Sequence, residues 1–365
     1  MSADGLEVRV EVGERALHAV ESRLDCVDAL GCRGVEVGEF VGVRQRAFDR
    51  SDAVGERGRV RHTVRWPRLP VSTLGATLKA SDGEHPFMKA ALVGVGQAGG
   101  KLTEALVRND RENGYGAVQG ALAVNTARQD LTPLDIPTLL IGQSVVSGDG
   151  VGGENELGAE LMEEDTREVV NALDGTITSR TEAVFVVAGL GGGTGSGGAP
   201  VLVRELKRVY DIPVYCLGVL PGRNEGALYQ ANAGRSLKTV VREADNTLLV
   251  DNDAWHASGE SVTDAYAAIN DTVAHRIGLL LAAGEVTDGV AESVVDSSEI
   301  INTLRNGSMA AIGYANADAS PDPEENINVV TSTARKSLLT GMSVPETTDA
   351  DAALVIVAGH PDRIP

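Results

Sequence analysis

Short apolar runs alternate with helically spaced segments over most of this chain of 365 residues, and the change of period marks out the elements. Ala183–Leu190 reads AVFVVAGL, the length and β-branching of a strand buried on both faces. Similar runs stand at Lys89–Val95, Ala121–Thr126, Thr138–Ser144, Ile212–Pro221 and Thr247–Asp253. Between them lie stretches such as VLVRELKRVY, after Pro200, with apolar residues at helical spacing. Strands separated by single helices predict a parallel α/β sheet. Ser261–Leu281 carries a long helical pattern, and Ala291–Leu304 reads as a loop and helix. Ala310–Ala315 reads as a strand, ENINVVTSTARKSLLTG as a helix closed by Gly341, and Ala353–Gly359 as a final strand. Near the N-terminus only Leu6–Val12 shows alternation.

The glycines fall where strands hand over to helices. Gly191–Gly197 reads GGGTGSG, five glycines in seven residues between a buried strand and an amphipathic helix. Such a loop leaves backbone N–H groups unshielded at a helix N-terminus, a cradle for phosphate, and Thr194 and Ser196 add hydroxyl donors. GQAGG, Gly96–Gly100, stands between Lys89–Val95 and the helix KLTEALVRND. It fails a Walker A loop, because Val95 stands where the opening Gly belongs and Leu102 where Ser or Thr is required. As a dinucleotide fingerprint it lacks the ribose-binding acid, since the next strand ends in Asn125-Thr126. The loops GQAGG, VNT, GDGVGG, GGGTGSG, PGRNEG and DND all follow strands. They therefore share the carboxyl edge of the sheet, where such sheets bind ligands.

Charge changes the picture in two ways. The chain carries a net −20, with 52 Asp and Glu against 32 Lys and Arg. Residues 1–87 hold 14 acids and 13 cations, whereas the remaining 278 residues hold 38 acids and 19 cations. Residues 1–87 are thus set apart as an N-terminal extension without a motif, an arm or small appended domain expected to be dispensable for ligand binding and open to disorder. The acidity of the rest argues against DNA or anionic lipid as partners and fits a cytoplasm of high salt. Aromatic residues make up 3%, too few for base-stacking platforms. Cys26, Cys32 and Cys216 have no metal-ligand spacing and form no disulfide framework, in keeping with a reducing cytoplasm. No apolar run is long enough to span a membrane.

From Met88 onward the chain resembles the CetZ branch of the tubulin/FtsZ superfamily, known from haloarchaea. The resemblance rests on GQAGG, VNTA, GGGTGSG and VVDSSEIINTL, which follow one another in that family's order. It implies a Rossmann-like GTPase domain over 88–260, a central helix and connection over 261–290, and a partial second α+β activation domain over 291–365. Family members continue past ALVIVAG with another helix and two more strands, so the second domain is expected to be incomplete, with an open sheet edge.

Site residues carry over position by position. Gly96, Gln97, Ala98, Gly99, Gly100 and Lys101 match the first phosphate loop, and Asn125 lies in the shared VNT loop. Gly192, Gly193, Thr194, Gly195, Ser196 and Gly197 form the main cradle. Glu225 matches the acid that accepts from ribose hydroxyls, Asn252 the residue beside sugar and base, and Asn270 the guanine reader, a role an amide suits. By themselves Glu225 reads as a solvated loop acid and Asn252 as a helix N-cap.

Asp296 and Glu299 match the family's catalytic acids, which act on the nucleotide of the next subunit in a head-to-tail filament. Their i, i+3 spacing puts both on one helix face. The residues alone fit equally an acidic first turn favoured by the helix dipole. Where bacterial members have an Asn, this chain has Val294. The resemblance therefore implies GTP as ligand, Mg²⁺ carried on its phosphates, self-assembly, and a role in cell shape. A GTP-binding form that does not hydrolyse, and an NAD(P)-dependent enzyme built on GVGQAGG, are the alternatives.

Overall fold

The computed structural model describes residues 5–13, 88–254, 262–283, 297–305, 308–345, 347, 350 and 352–359, with 5–13 and 262–265 as backbone alone. Every described element belongs to one compact unit of the chain.

The strands are β1 (Gly5–Gly13), β2 (Ala90–Val95), β3 (Val118–Asn125), β4 (Thr138–Leu140), β5 (Ala183–Gly189), β6 (Val214–Leu220), β7 (Asn246–Asp251), β8 (Met309–Asp318) and β9 (Ala353–Ala358). The helices are α1 (Gly96–Asn113), α2 (Arg128–Leu131), α3 (Gln143–Val146), α4 (Asn155–Ala172), α5 (Gly193–Val209), α6 (Ala227–Glu243), α7 (Val262–Leu281), α8 (Ser297–Arg305) and α9 (Pro323–Leu339). They build one sheet in the order β4-β3-β2-β5-β6-β7-β8-β1-β9. Its first seven strands run parallel, as the alternating periods predict.

Both faces of the central strands are covered. On one face α1 and α7 bury Leu102, Leu106, Ile269, Val273 and Ile277 against Phe185, Tyr215 and Leu217. On the other, Met162 of α4, Leu202 and Leu206 of α5, and Leu237 and Val240 of α6 cover Val184, Val186 and Cys216. Strands covered twice are apolar at nearly every position, which is why β2, β5 and β6 read as continuous runs. Burial pushes the Cys216 thiol up to about 12, so it is an inert core residue.

The central helix α7 runs the depth of the sheet. Its last residue accepts a hydrogen bond from Met88 N at the amino end of β2 (3.1 Å). Near its other end, Tyr266 meets Glu225 beyond the carboxyl end of β6. Twenty residues at about 1.5 Å each cover roughly 30 Å. About three-quarters of the way along, Arg276 Nη1 donates to Gly341 O (2.6 Å) and its guanidinium lies 5.3 Å above the Tyr314 ring, tying the helix to β8 and the turn after α9.

The alternating stretch near the N-terminus is part of this sheet. β1 lies between β8 and β9 and is antiparallel to both, with Val8 opposite Ala315 on one side and Val357 on the other. Charge balance and the absence of motifs carry no information about strand pairing, so sequence patterning sets 1–87 apart while backbone hydrogen bonding joins Gly5–Gly13 to the far end of the chain.

Candidate functional site

Parallel strands followed by helices bring six loops to one edge, and there they surround a cavity of about 420 Å³. Two helices open at its wall. The N-caps of α1 and α5, Val95 and Gly192, make no side-chain capping bond. The orphan N–H groups of two first turns therefore remain available to a ligand. Together with the helix dipoles they make an anion site, although no Lys or Arg is among the lining residues. Close approach of the two turns requires glycine. Gly96 has φ +75°, and a Cβ on it would sit 2.8 Å from Gly195 N. A Cβ on Gly195 would sit 2.5 Å from Gly189 O.

Hydroxyls and amides fix the loops around this backbone surface. Thr194 Oγ1 and Thr126 Oγ1 lie 2.7 Å apart, pinning the GGGTGSG loop to the loop after β3. Asp130 receives Gln97 Nε2 (2.8 Å) and Asn125 Nδ2 (3.1 Å), which orients both amides. On the β6–β7 side, Glu225 Oε1 accepts from Gly222 N (2.7 Å) and Asn252 Nδ2 (3.0 Å). Its carboxylate also accepts from the Tyr266 hydroxyl; burial and then the charge of Glu225 hold that phenol up at about 12.

A second cavity of about 340 Å³ opens between α1, the segment after α2 and α7. Lys101, Glu104, Arg108, Tyr266, Asn270 and Asp271 face it. Arg108 and Asp271 form an ion pair at 2.5 Å across the seam of α1 and α7. The two cavities meet at the hydrogen bond of Glu225, which lines the first, with Tyr266, which lines the second.

The expected residues divide among these places. Gly96, Gln97, Ala98, Asn125, Gly192, Gly193, Thr194, Gly195, Glu225 and Asn252 line the first cavity. Lys101, expected with the phosphate loop, lies one helical turn beyond Gln97 and lines the second cavity with Asn270. Gly99, Gly100, Ser196 and Gly197 line neither. Gly99 packs under the carbonyl of Val187 and Gly100 under Leu134. Gly197 packs against Asn155 O, letting α5 approach α4, and Ser196 Oγ donates back to Gly192 O. These four serve packing because a helix turns half of any loop-to-helix motif away from the ligand.

Glu299 is exposed on α8 at the opposite edge of the sheet, and Asp296 lies outside the described residues. Ser297 Oγ donates to Glu182 Oε1 (2.8 Å), and Glu182 Oε2 accepts from Lys89 N (2.8 Å), just before β5 and β2 begin. The cradle lies past the other end of β5, roughly 20 Å away at about 3.3 Å per residue.

The structure adds residues that the motif reading does not single out. Asp130 and Tyr229 line the first cavity, beside Gly150–Gly153 of the GDGVGG loop already placed at this edge. Tyr266 precedes Asn270 by four residues, and that helical spacing is the signal that places both on one face.

Comparison with known proteins gives a consistent picture. The profile described as "Tubulin/FtsZ family, GTPase domain" matches residues 89–260, and "Tubulin-like CetZ, C-terminal domain" matches residues 259–365. The tubulin-like protein CetZ2 of Haloferax volcanii is 64% identical over 278 residues, 76% of this chain and 77% of that protein. CetZ1 of the same organism is 49% identical over 306 residues, 76% of this chain and 78% of that protein. A solved structure described as CetZ2 from Haloferax volcanii, GTPγS-bound protofilament, superposes with TM-score 0.73 at 62% identity, covering 76% of this chain and 81% of that one.

Proposed function

The chain belongs to the CetZ branch of the tubulin/FtsZ family, and from that premise we propose a GTPase that assembles head to tail and hydrolyses GTP where two copies meet. The observation that carries this reading is the separation of functions along the sheet. The anion cradle lies at the carboxyl edge, and the helix bearing Glu299 lies at the amino edge. One copy cannot bring them together. Two copies stacked head to tail can, and because that contact is heterologous and open it continues into a filament.

In this reading the N–H groups of the α1 and α5 first turns hold the phosphates, and Glu225 accepts from the ribose. Asn252 stands beside the sugar. Asn270 reads guanine in the second cavity, with Tyr266 and Lys101 around the base. A site built to hydrogen-bond one base leaves polar groups unpaired with another, so GTP is preferred over ATP. Mg²⁺ arriving on the phosphates supplies charge neutralisation, and Asp130 and Asp149 are carboxylates on the same wall. Asp296 and Glu299 of one copy orient the attacking water at the nucleotide of the next. The protein acts as a cytoskeletal element in cell shape, in an archaeal cytoplasm of high salt; among the described residues no helix is long and apolar enough to cross a membrane.

The test is GTP turnover against protein concentration in molar KCl. The rate per subunit rises with concentration. Glu299→Ala binds GTP within about threefold of the parent and loses about a hundredfold in turnover, the scale of a misplaced general base. A rate per subunit independent of concentration, or full turnover by Glu299→Ala, overturns the shared site.

A further inference from the structure

Asn232, in the second turn of α6, is not among the residues lining either cavity, and its side chain is 2% exposed. Its amide nevertheless joins the two loops of the cradle. Nδ2 donates to Gly153 O at 2.8 Å and to Gly191 O at 3.0 Å. An amide nitrogen has two hydrogens, and both are used. The two carbonyls belong to residues that line the first cavity, one from each of the two loops.

The consequence for an anionic ligand is electrostatic. A carbonyl oxygen facing a phosphate repels it, and here both are drawn out of the cavity and satisfied by a buried donor. At Gly191 the effect is directional. None of the described peptide bonds is cis, so the Gly192 N–H points opposite to the Gly191 carbonyl. It is aimed away from Asn232, and Gly192 itself lines the first cavity. The same side chain holds Gly153 against this loop, across a separation of 79 residues.

Sheet order says which part of a ligand feels this clip. Glu225 and Asn252 follow β6 and β7, on one side of the α5 N-terminus. Gly150–Gly153 follows β4 and α3, beyond β2 and β3 on the other side. A nucleotide with its sugar at Glu225 extends its phosphates across β5 towards β3. The last phosphate is then the one nearest Gly150–Gly153. We propose that Asn232 is a positioning residue that fixes this loop against the α5 cradle and thereby sets the preference for a nucleoside triphosphate over the diphosphate. This inference rests on the reading of the site as a GTP site.

The measurement is the ratio of the dissociation constants of GDP and GTPγS for the full chain in molar KCl. Asn232→Asp keeps the volume and replaces the donor with an acceptor facing two carbonyls; Asn232→Ser shortens the side chain and serves as the second variant. The expected result is a GDP affinity within about threefold of the parent and a GDP-to-GTPγS ratio reduced about tenfold, the scale of one lost buried hydrogen bond. A merely structural role lowers the competent fraction, which scales both affinities equally and leaves the ratio unmoved. An unmoved ratio in both variants, or loss of both ligands alike in both, overturns the proposal while the GTP site of the parent stands. Failure of the parent to bind either nucleotide overturns the GTP reading and this inference with it.

Discussion

The two cavities that meet at the Glu225–Tyr266 hydrogen bond are built on different principles. The larger is walled mainly by backbone: two uncapped helix starts, glycine loops, and no basic side chain. The smaller is walled by side chains from helices far apart in sequence, with Lys101, Glu104 and Arg108 from α1 facing Asn270 and Asp271 from α7. The first takes its polarity from peptide dipoles, which no substitution can neutralise but any side chain can obstruct. The second takes its polarity from groups that can be exchanged one at a time. Phosphate binding should therefore fail abruptly on mutation, and discrimination at the sugar and base should change by degrees.

The largest expected effect separates obstruction from packing within the cradle itself. At Gly195 a Cβ would lie 2.5 Å from Gly189 O and 3.1 Å from Val95 O, both backbone atoms that cannot turn aside. Gly195→Ala should cost about 1–3 kcal/mol in stability through overpacking, and GTP binding should fall at least about a hundredfold. At Gly192 a Cβ would meet nothing within 4 Å, because it would project into open space. Gly192→Ala should keep its melting temperature and still lose GTP affinity, because the methyl occupies the ligand's volume. Thermal melts beside equilibrium binding decide the matter. Parental affinity in Gly192→Ala would show that the phosphates do not lie against the α5 start.

A smaller effect is expected at the junction of the cavities. Glu225→Gln retains an oxygen for Gly222 N and Asn252 Nδ2 but removes the charge. Affinity for GTP should fall about tenfold, in line with a lost charge-assisted hydrogen bond. The Tyr266 hydroxyl, now without its anionic neighbour, should titrate lower than about 12. A hundredfold loss would mean that Glu225 supports the cradle as a whole and that the contrast between backbone and side-chain cavities does not hold.

The same contrast explains what could be read from the chain before its fold. The parallel sheet, the helices and the carboxyl-edge loops are visible because each is written in consecutive residues: apolar runs for β2, β5, β6 and β7, and glycine strings for the turns that follow. Which glycines touch ligand is not visible, since Gly99 and Gly197 differ from Gly96 and Gly193 only in the side of a helix they occupy. Asn232 leaves no local signature, and Tyr266 leaves only its four-residue spacing from Asn270. Each acts through one or two hydrogen bonds to residues 41 or more positions away. β1 shows a similar gap from the other direction: its alternation marks a strand, but its partners, β8 and β9, lie some 300 residues on.

The smallest effect tests how full the Glu225 carboxylate is. Three donors reach it: Gly222 N, Asn252 Nδ2 and the Tyr266 hydroxyl. A carboxylate offers about four lone-pair sites, so about one remains for a sugar that presents two hydroxyls. Tyr266→Phe frees a second site. The apo protein should lose about 1 kcal/mol, less than is usual for a hydrogen bond to a charged group because both partners are only half-buried. Affinity for GTP should nevertheless rise, by about twofold to threefold, while that for 2′-deoxy-GTP, which needs only one site, stays unchanged. The alkaline limb of stability carries an independent sign. A phenol raised from 10.0 to about 12 contributes stability that is complete below pH 10 and is lost as pH climbs through about 12, where phenolate and carboxylate repel. Tyr266→Phe should lose less stability than the parent over that interval. Equal gains for GTP and 2′-deoxy-GTP would mean that the second hydroxyl never reaches Glu225, and that the sugar is held chiefly by side chains of the smaller cavity.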